Sequence, residues 1–400
     1  MRPSGEELAS AFSEGVNAQS LDVIDLGLCS TDMLYFASGH LRLPGSVFTA
    51  SHNPSGYNGI KFCFSEARPV SSDTGIEEMR DEVLSKITPG DGSGNISQLN
   101  LLEEFASHVK TFVDTDKLKP LRVVVDTANG MGGLVVPAVF HNLPFQTEIM
   151  YQDLDGTFPN HPADPIQPEN LVDLQKRVLE TNADIGLAFD GDADRVFLVD
   201  EKAQPVSGSV TTALVAKKVL NEEPGATIVH NLICSQIVPE TITQMGGKAV
   251  RTRVGHSYIK KIMAEEQAAF GGEHSGHYYF RDNFRADSGL IAALIVLEEL
   301  SCASKPLSLL TEPFSPYIAS GEINIEVEES SKVIREVSKK YSDYSQDNLD
   351  GLTVQLQKCW FNLRPSNTEP LLRLNLEAED EASYETTLQE VMDLIELNKK

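Results

Sequence analysis

Asp190, Asp192 and Asp194 alternate along a short turn that ends in Arg195. Three carboxylates this close repel one another, and a bound divalent cation relieves that repulsion. An EF-hand is the obvious rival, since Glu201 falls at the twelfth position of such a loop. However, Arg195 stands at the sixth position, where that loop needs glycine, and the flanks Leu187-Ala188-Phe189 and Val196-Phe197-Leu198-Val199 read as strands rather than helices. A plain acidic turn is what the spacing alone also allows.

The second reactive stretch is Thr49-Ala50-Ser51-His52-Asn53-Pro54-Ser55-Gly56-Tyr57-Asn58-Gly59-Ile60-Lys61. It holds three turn dipeptides, Asn53-Pro54, Ser55-Gly56 and Asn58-Gly59. Ser46 to Thr49 before it reads as a short strand, and Ile60 to Phe64 after it alternates apolar and polar residues. Ser51 therefore belongs on a loop between two strands. A serine becomes a nucleophile when something activates its hydroxyl and something stabilises the developing charge, and His52 and Lys61 are candidates for both. A polar hairpin loop in which Ser51 caps backbone groups is the plainer alternative.

Two further loops carry polar groups in tight spacing. Gly271-Gly272-Glu273-His274-Ser275-Gly276-His277 is framed by glycines. Its histidines lie three apart with no cysteine or helix to orient them, a poor zinc pattern. A carboxylate and a serine suit two vicinal hydroxyls better. Arg364-Pro365-Ser366-Asn367-Thr368-Glu369-Pro370 offers an arginine fork, two hydroxyls, an amide and free backbone N–H groups, which together suit a phosphate.

The elements that must hold these loops follow from periodicity. A helix fits residues 4 to 19, with Ser4 as N-cap and Glu7 at the capping-box position. Leu21 to Leu28 reads as a buried strand, and a helix fits Gly75 to Ile87. Residues 88 to 94 are glycine-rich and linker-like. Leu121 to Asp126 is a strand running into Thr127-Ala128-Asn129-Gly130-Met131-Gly132-Gly133 and then a helix, the grammar of a parallel α/β sheet. That turn lacks the third glycine of a dinucleotide fingerprint, since Val135 stands there, and no Walker-type loop occurs, so a nucleotide site is not expected. Leu171, Leu174, Val178 and Leu179 mark an amphipathic helix, and Asp184 to Phe189 is a buried strand leading into the aspartate turn. Helices fit Val210 to Leu220, Ser257 to Glu266 and Ser288 to Ser301. Strands at Leu352 to Leu356 and Leu371 to Leu376, then a helix carrying Leu388, Val391, Met392 and Ile395, suggest a closing α+β domain.

Bulk properties limit the function. The chain has 400 residues, enough for roughly two to four domains. Its formal net charge is -26, which disfavours nucleic acid and anionic membranes as partners. No apolar run is long enough to span a bilayer, and residues 1 to 7 lack the apolar core of a signal peptide, so a cytoplasmic location is expected. The five cysteines are scattered without metal or redox spacing and are expected to be reduced. An acidic protein that handles a phosphorylated substrate needs a local positive site, built from the few Arg and Lys residues inside glycine-rich loops.

Taken in chain order, the four loops resemble those of the α-D-phosphohexomutases, a family that includes phosphomannomutase and phosphoglucomutase. The resemblance covers essentially the whole chain. It implies α/β architecture: three α/β mixed-sheet domains (1–94, 95–204, 205–313) and a C-terminal α+β domain (314–400) around a central cleft. It implies that Ser51 carries a phosphate, that Lys61, His52, Arg195 and His256 belong to the catalytic site, and that Asp190, Asp192, Asp194 and Ser51 hold Mg²⁺. Glu273 and Ser275 would then grip the sugar's 3- and 4-hydroxyls with His277 beside them, and Arg364, Ser366, Asn367 and Thr368 the phosphate that is not reacting. The implied reaction moves a phosphoryl group between mannose 6-phosphate and mannose 1-phosphate through a hexose 1,6-bisphosphate, which also serves as activator. The Glu273 string looks most like phosphomannomutases and dual mannose/glucose enzymes. Phosphoglucosamine mutase and a catalytically impaired phosphosugar-binding protein are the alternatives. Small phosphosugars are the expected partners, and a monomer or weak homodimer the expected assembly.

One departure stands out. Family members carry a Tyr-Asp-x-Arg-Gly motif and a Gly-Arg-Asp-x-Arg motif ahead of the serine loop, and neither occurs here. Met1-Arg2-Pro3-Ser4-Gly5-Glu6-Glu7-Leu8 looks like the end of the second motif entering its helix. The expectation is an N-terminally shortened chain with an incomplete first domain, weak activity and a tendency to aggregate.

Overall fold

The computed structural model describes residues 1–71, 74–85, 90–366 and 371–399. Four α/β units follow one another. The first opens with the helix Gly5–Asn17, and the helix Thr31–Leu41 follows. It carries two small sheets: Val23–Asp25 pairs in parallel with Ile96–Gln98, and Gly45–Phe48, Ile60–Phe64 and Arg68–Pro69 form an antiparallel sheet. The turn between Phe48 and Ile60 is the serine loop.

The second unit is a five-stranded sheet. Arg122–Asp126 lies between Gln146–Met150 and Ile185–Phe189, all parallel, and Val196–Asp200 and then Pro205–Val206 extend the sheet antiparallel. Ile185–Phe189 and Val196–Asp200 are buried at every position, as their unbroken apolar runs require of central strands. The aspartate turn joins these two strands, so its position is set by the most buried hairpin of the unit. The third unit repeats the plan, with Thr227–Asn231 between Lys248–Thr252 and Phe270–Gly272, all parallel, then Tyr278–Phe280 and Ala286–Asp287 antiparallel. The Glu273 loop is the turn between Gly272 and Tyr278. The fourth unit is an antiparallel sheet in the order Ile318–Glu326, Leu371–Ala378, Cys359–Pro365, Leu352–Gln355, Ser345–Asp347, covered by the helices Ser330–Lys340 and Glu381–Asn398.

The core reflects this division. One apolar cluster runs without a break from Met33 and Phe36 through Val123 and Ile185 to Leu290 and Phe314. The fourth unit has a separate cluster, from Ile325 through Phe361 to Ile395. The helix Gly289–Ala303 is buried along most of its length, and Ser288 caps it by accepting a hydrogen bond from the Ile291 N–H. Among the described residues no helix is long and apolar enough to cross a membrane.

Two sequence expectations are corrected. Leu21 to Leu28 is not a buried strand: only Val23–Asp25 is extended, and Leu21 and Leu28 are 58% and 54% exposed. Among the described residues its strand pairs only with Ile96–Gln98, and of its apolar residues Leu26 packs against the core while Leu21, Ile24 and Leu28 stay exposed. Ser4 also fails as a side-chain cap. Its backbone is at φ -91 and ψ 5, not the extended geometry a capping side chain needs, and its hydroxyl accepts from Asn58 Nδ2 instead. The helix predicted over Gly75 to Ile87 is seen at Ile76–Leu84. Of the glycine-rich segment, residues 90 to 94 lie against the first helix, with Gly92 N donating to Ala18 O and Gly94 N to Asn17 O.

Candidate active site

Ser51 sits at φ 49, a left-handed conformation that serine adopts only when its surroundings impose it. The Ser51 N–H donates to Thr49 Oγ1 at 2.9 Å, and Thr49 Oγ1 donates to Asp192 Oδ2 at 3.1 Å. The serine loop is thus tied directly to the aspartate turn. The result is that the Ser51 hydroxyl donates to Asp190 Oδ2 at 2.7 Å and accepts from Arg195 Nη2 at 3.1 Å. Ser51 is 8% exposed, so these contacts are made with little competition from water.

Close backbone approach makes this possible. A Cβ added at Gly191 would lie 2.4 Å from Ser51 O, so only glycine lets the two loops meet. Behind the aspartate turn, the glycine turn after Arg122–Asp126 packs in the same way: Met131 N donates to Gly191 O at 2.9 Å. The Thr31–Leu41 helix meets the aspartate turn through its first residue. Thr31 N donates to Asp192 O, and Thr31 Oγ1 to Asp192 Oδ2 at 2.6 Å.

Asp190, Asp192 and Asp194 are all buried, with ligand atoms within 4.8 Å of one another. Lys61 Nζ lies 2.7 Å from both Asp192 Oδ2 and Asp194 Oδ2. Burial works against the Lys61 ammonium, but Asp192 and Asp194 outweigh it and hold its pKa above the ordinary lysine range. Burial, then the charges of Asp194 and Asp192, push the Asp190 carboxyl up; burial opposes ionisation of Asp192 too, yet Lys61 holds that carboxyl down. Asp192 Oδ1 and Asp194 Oδ1 have no hydrogen-bond donor among the described residues. An all-oxygen set with unpartnered buried carboxylate oxygens fits a hard divalent cation.

His52 is a neutral acceptor here rather than a second cation. Burial, and then the Arg195 guanidinium against its Nδ1, push its imidazole down to about 3. His277 reaches the same cluster from the third unit: its Nδ1 lies 3.8 Å from Asp194 Oδ1 and donates to Asp287 Oδ2 at 2.8 Å. On the far side of Asp287, the buried Lys260 places its Nζ 3.1 Å from Asp287 Oδ1 and over the Tyr35 ring.

The structure thus brings Ser51, His52, Lys61, Asp190, Asp192, Asp194, Arg195 and His277 together. Glu273 lies deeper than an open sugar loop suggests, 2% exposed, accepting from Tyr279 OH at 2.7 Å, Asn231 Nδ2 at 3.2 Å and Gly255 N at 3.1 Å. That last bond ties the Glu273 loop to the helix His256–Glu265, on whose first residue His256 is exposed. Ser275 is half-buried in the same loop. His274 turns away, its Nδ1 bonded to Ser209 Oγ. Arg364 is held within the fourth unit, its Nη2 donating to Glu322 Oε2 at 2.7 Å, while its Nε has no acceptor among the described residues. Ser366 N donates to Leu371 O. Asn367 and Thr368 lie outside the described residues. Sequence reasoning missed Thr31, Asp287, Lys260 and Arg2. Thr31 and Arg2 left a signal: Ser30-Thr31-Asp32 ahead of an apolar run is a helix start, Ser30 Oγ does accept from Met33 N, and Arg2 stands where the Gly-Arg-Asp-x-Arg motif ends.

Comparison with known proteins agrees with this geometry along the chain. Residues 1–87 match the family described as phosphoglucomutase/phosphomannomutase, alpha/beta/alpha domain I. Residues 103–204 match its alpha/beta/alpha domain II, 207–317 its domain III, and 322–394 its C-terminal domain. A relative named phosphohexose mutases, from Xanthomonas campestris pv. campestris, is 39% identical over 402 residues, covering 99% of this chain and 90% of its own length. A phosphomannomutase from Methanocaldococcus jannaschii is 38% identical over 403 residues, with 99% and 88% covered. Among solved structures, a phosphoglucomutase/phosphomannomutase family protein from Burkholderia thailandensis superposes with a TM-score of 0.89 at 29% identity, covering 99% of this chain and 87% of that one.

Proposed function

The chain belongs to the phosphoglucomutase/phosphomannomutase family, and from that premise we propose that phospho-Ser51 shuttles a phosphoryl group between the two ends of a hexose phosphate. The protein is a phosphohexose mutase, an isomerase of carbohydrate metabolism. Its substrates in this reading are mannose 6-phosphate and mannose 1-phosphate, with the glucose phosphates turned over as well. The observation that carries the reading is the placement of Ser51 Oγ between Asp190 Oδ2 and Arg195 Nη2.

In each half-reaction a sugar hydroxyl attacks the phosphorus of phospho-Ser51, a new sugar O–P bond forms and the Ser51 O–P bond breaks. Ser51 Oγ leaves with the electron pair, its developing charge met by the Arg195 guanidinium, and takes up the proton that the cleft base releases. The proton of the attacking hydroxyl passes to a base in the cleft, and His277, held at Nδ1 by Asp287, has Nε2 to offer. The 1,6-bisphosphate then turns over and returns its other phosphoryl group to Ser51; free hexose 1,6-bisphosphate reloads the serine in the same way. Lys61 and Arg195 lie beside the transferring group and offset its charge. Asp190, Asp192 and Asp194, with Ser51, would hold Mg²⁺, which when bound supplies Lewis-acid stabilisation of charge on the phosphoryl oxygens.

Glu273 has three acceptor sites taken and a carboxylate offers about four, leaving room for one sugar hydroxyl. Ser275 stands beside it for a neighbouring hydroxyl. Mannose and glucose differ at C2, so contacts to the 3- and 4-hydroxyls do not discriminate them. The Arg364 Nε, with Ser366, Asn367 and Thr368, is the grip for the non-reacting phosphate, and His256 lies at the substrate side. The domain limits in this reading are 94, 204 and 313, and the enzyme works in the cytoplasm as a monomer or weak homodimer. A coupled assay with mannose 1-phosphate and glucose 1-phosphate side by side tests the substrate. Intact mass before and after phosphatase tests the carrier: wild type should lose one phosphate and Ser51→Ala none. Full activity of Ser51→Ala with bisphosphate present would refute the carrier assignment.

A further inference from the structure

We propose that Arg2 is a positioning residue of the phosphoryl-carrier loop, fixing Ser51 by gripping the loop's backbone carbonyls. The inference rests on the reading of Ser51 as carrier. The Arg2 guanidinium donates from Nη2 to Ser51 O at 2.6 Å and to Asn53 O at 2.7 Å, and from Nη1 to Pro54 O at 2.8 Å. Three carbonyls within four residues are thus held by one side chain from the start of the chain. Arg2 is 4% exposed, and no carboxylate among the described residues pairs with it. Its guanidinium instead lies 4.7 Å from the centroid of the Phe158 ring, a residue of the second unit.

A loop with a serine at φ 49 needs external contacts to stay there, and the Ser51 carbonyl is one of the atoms whose direction that conformation sets. Arg2 pulls on this carbonyl from one side while Gly191 of the aspartate turn approaches it closely from another. Because Phe158 stacks on the same guanidinium, Arg2 ties the serine loop of the first unit to the unit that carries Asp190 and Arg195. Only a planar fork with several fixed donors spans three carbonyls; an ammonium on a flexible stem does not. The buried cation, close enough to feel Asp190 and Asp192 without pairing with either, also adds positive potential to a site that must accept phosphate in a protein of net charge -26.

The test uses the full chain with Arg2→Ala and Arg2→Lys, beside Ser51→Ala. Turnover, KM for the sugar phosphate, and the rate at which hexose 1,6-bisphosphate phosphorylates Ser51, followed by intact mass, are measured. Misplacing the reacting group by an ångström costs about 10²-fold, so kcat and the phosphorylation rate in Arg2→Ala should fall by about that factor with KM unchanged. Arg2→Lys should not restore them, since it keeps the charge and loses the fork. Methylguanidinium at millimolar concentration should raise turnover of Arg2→Ala, whereas the same concentration of tetramethylammonium should not. Should Arg2→Ala fail to fold, Arg2→Lys carries the test, and a wild-type kcat there overturns the proposal. So does wild-type kcat in Arg2→Ala, or a loss that methylguanidinium leaves unchanged. Ser51→Ala separates the two readings: if it stays active the carrier assignment falls, and if it is dead while Arg2→Ala is wild type only the role of Arg2 falls.

Discussion

Replacing Gly191 by alanine probes the meeting of the two loops with one added carbon. Gly191 does not sit at a positive φ, so alanine is compatible with its backbone. The new Cβ would lie 2.4 Å from Ser51 O and 3.4 Å from Phe158 Cζ. The Ser51 carbonyl must then retreat by about 0.6 Å to reach the shortest contact seen in proteins, and by about 1 Å to reach ordinary van der Waals distance. Retreat of the aspartate turn instead is blocked, because Gly191 O accepts from Met131 N at 2.9 Å and Gly130 packs directly behind it. The serine loop is the part that moves, and it takes Ser51 Oγ off Asp190 and Arg195. A displacement of this size costs about 10²-fold in kcat. Overpacking of the buried contact should also destabilise the protein by about 1–3 kcal/mol. The assay is coupled mutase turnover at saturating bisphosphate, with thermal unfolding measured in parallel. Gly15→Ala is the control, since nothing lies within 4 Å of an added Cβ on that exposed helical position, and its activity should match wild type. A Gly191→Ala enzyme that folds and keeps wild-type kcat would show that the spacing of the serine and aspartate loops does not limit the chemistry.

Three other substitutions follow from the same geometry. Asp192→Asn removes one of three charges from the carboxylate cluster and releases Lys61, so the Mg²⁺ concentration for half-maximal activity should rise about tenfold or more; an unchanged midpoint in a metal titration contradicts the ligand assignment. Glu273→Gln should depress sugar turnover while leaving that Mg²⁺ midpoint in place, and equal losses in both would make the loop structural. Asp32 is wholly buried between Ser30 and Ser288, and burial, against the pull of the two hydroxyls, raises its pKa to about 7. The unfolded carboxyl releases its proton near pH 4 while the folded one keeps it, so folding stability falls as pH rises from about 4 to about 7, by about 4 kcal/mol, and is level above that. Asp32→Asn mimics the protonated acid and should raise the melting temperature at pH 8 but not at pH 4, as read by scanning fluorimetry; an equal shift at both pH values refutes the account.

The sequence by itself was enough to locate the four loops and the alternation of strand and helix that carries them. Turn dipeptides and glycines act through their own φ/ψ limits, and unbroken apolar runs such as Ile185 to Phe189 report burial directly, so Ser51 and the aspartate turn could be placed on loops between strands without knowing any neighbour. Where burial depended on a partner, the pattern misled. Leu21 to Leu28 has the composition of an inner strand, yet among the described residues only Val23–Asp25 pairs, on one side. Ser4 has the cap residue type, yet its hydroxyl is engaged by Asn58 from across the fold.

What only the tertiary structure decided is which groups face one another across long separations. Ser51 meets Asp190 from 139 residues away, Thr31 meets Asp192 from 161, and Arg2 reaches back over the loop from 49. Periodicity carries no information on such pairs, because it reports how a residue faces its own element and not what that element packs against. Asp287 and Lys260 were invisible for this reason: a carboxylate at a strand end and a lysine on a helix look like surface residues until folding buries them against His277 and Tyr35. Glu273 likewise reads as a loop carboxylate, and it is the closure of Phe270–Gly272 onto Tyr278–Phe280 that brings Tyr279 OH against it and turns it inward.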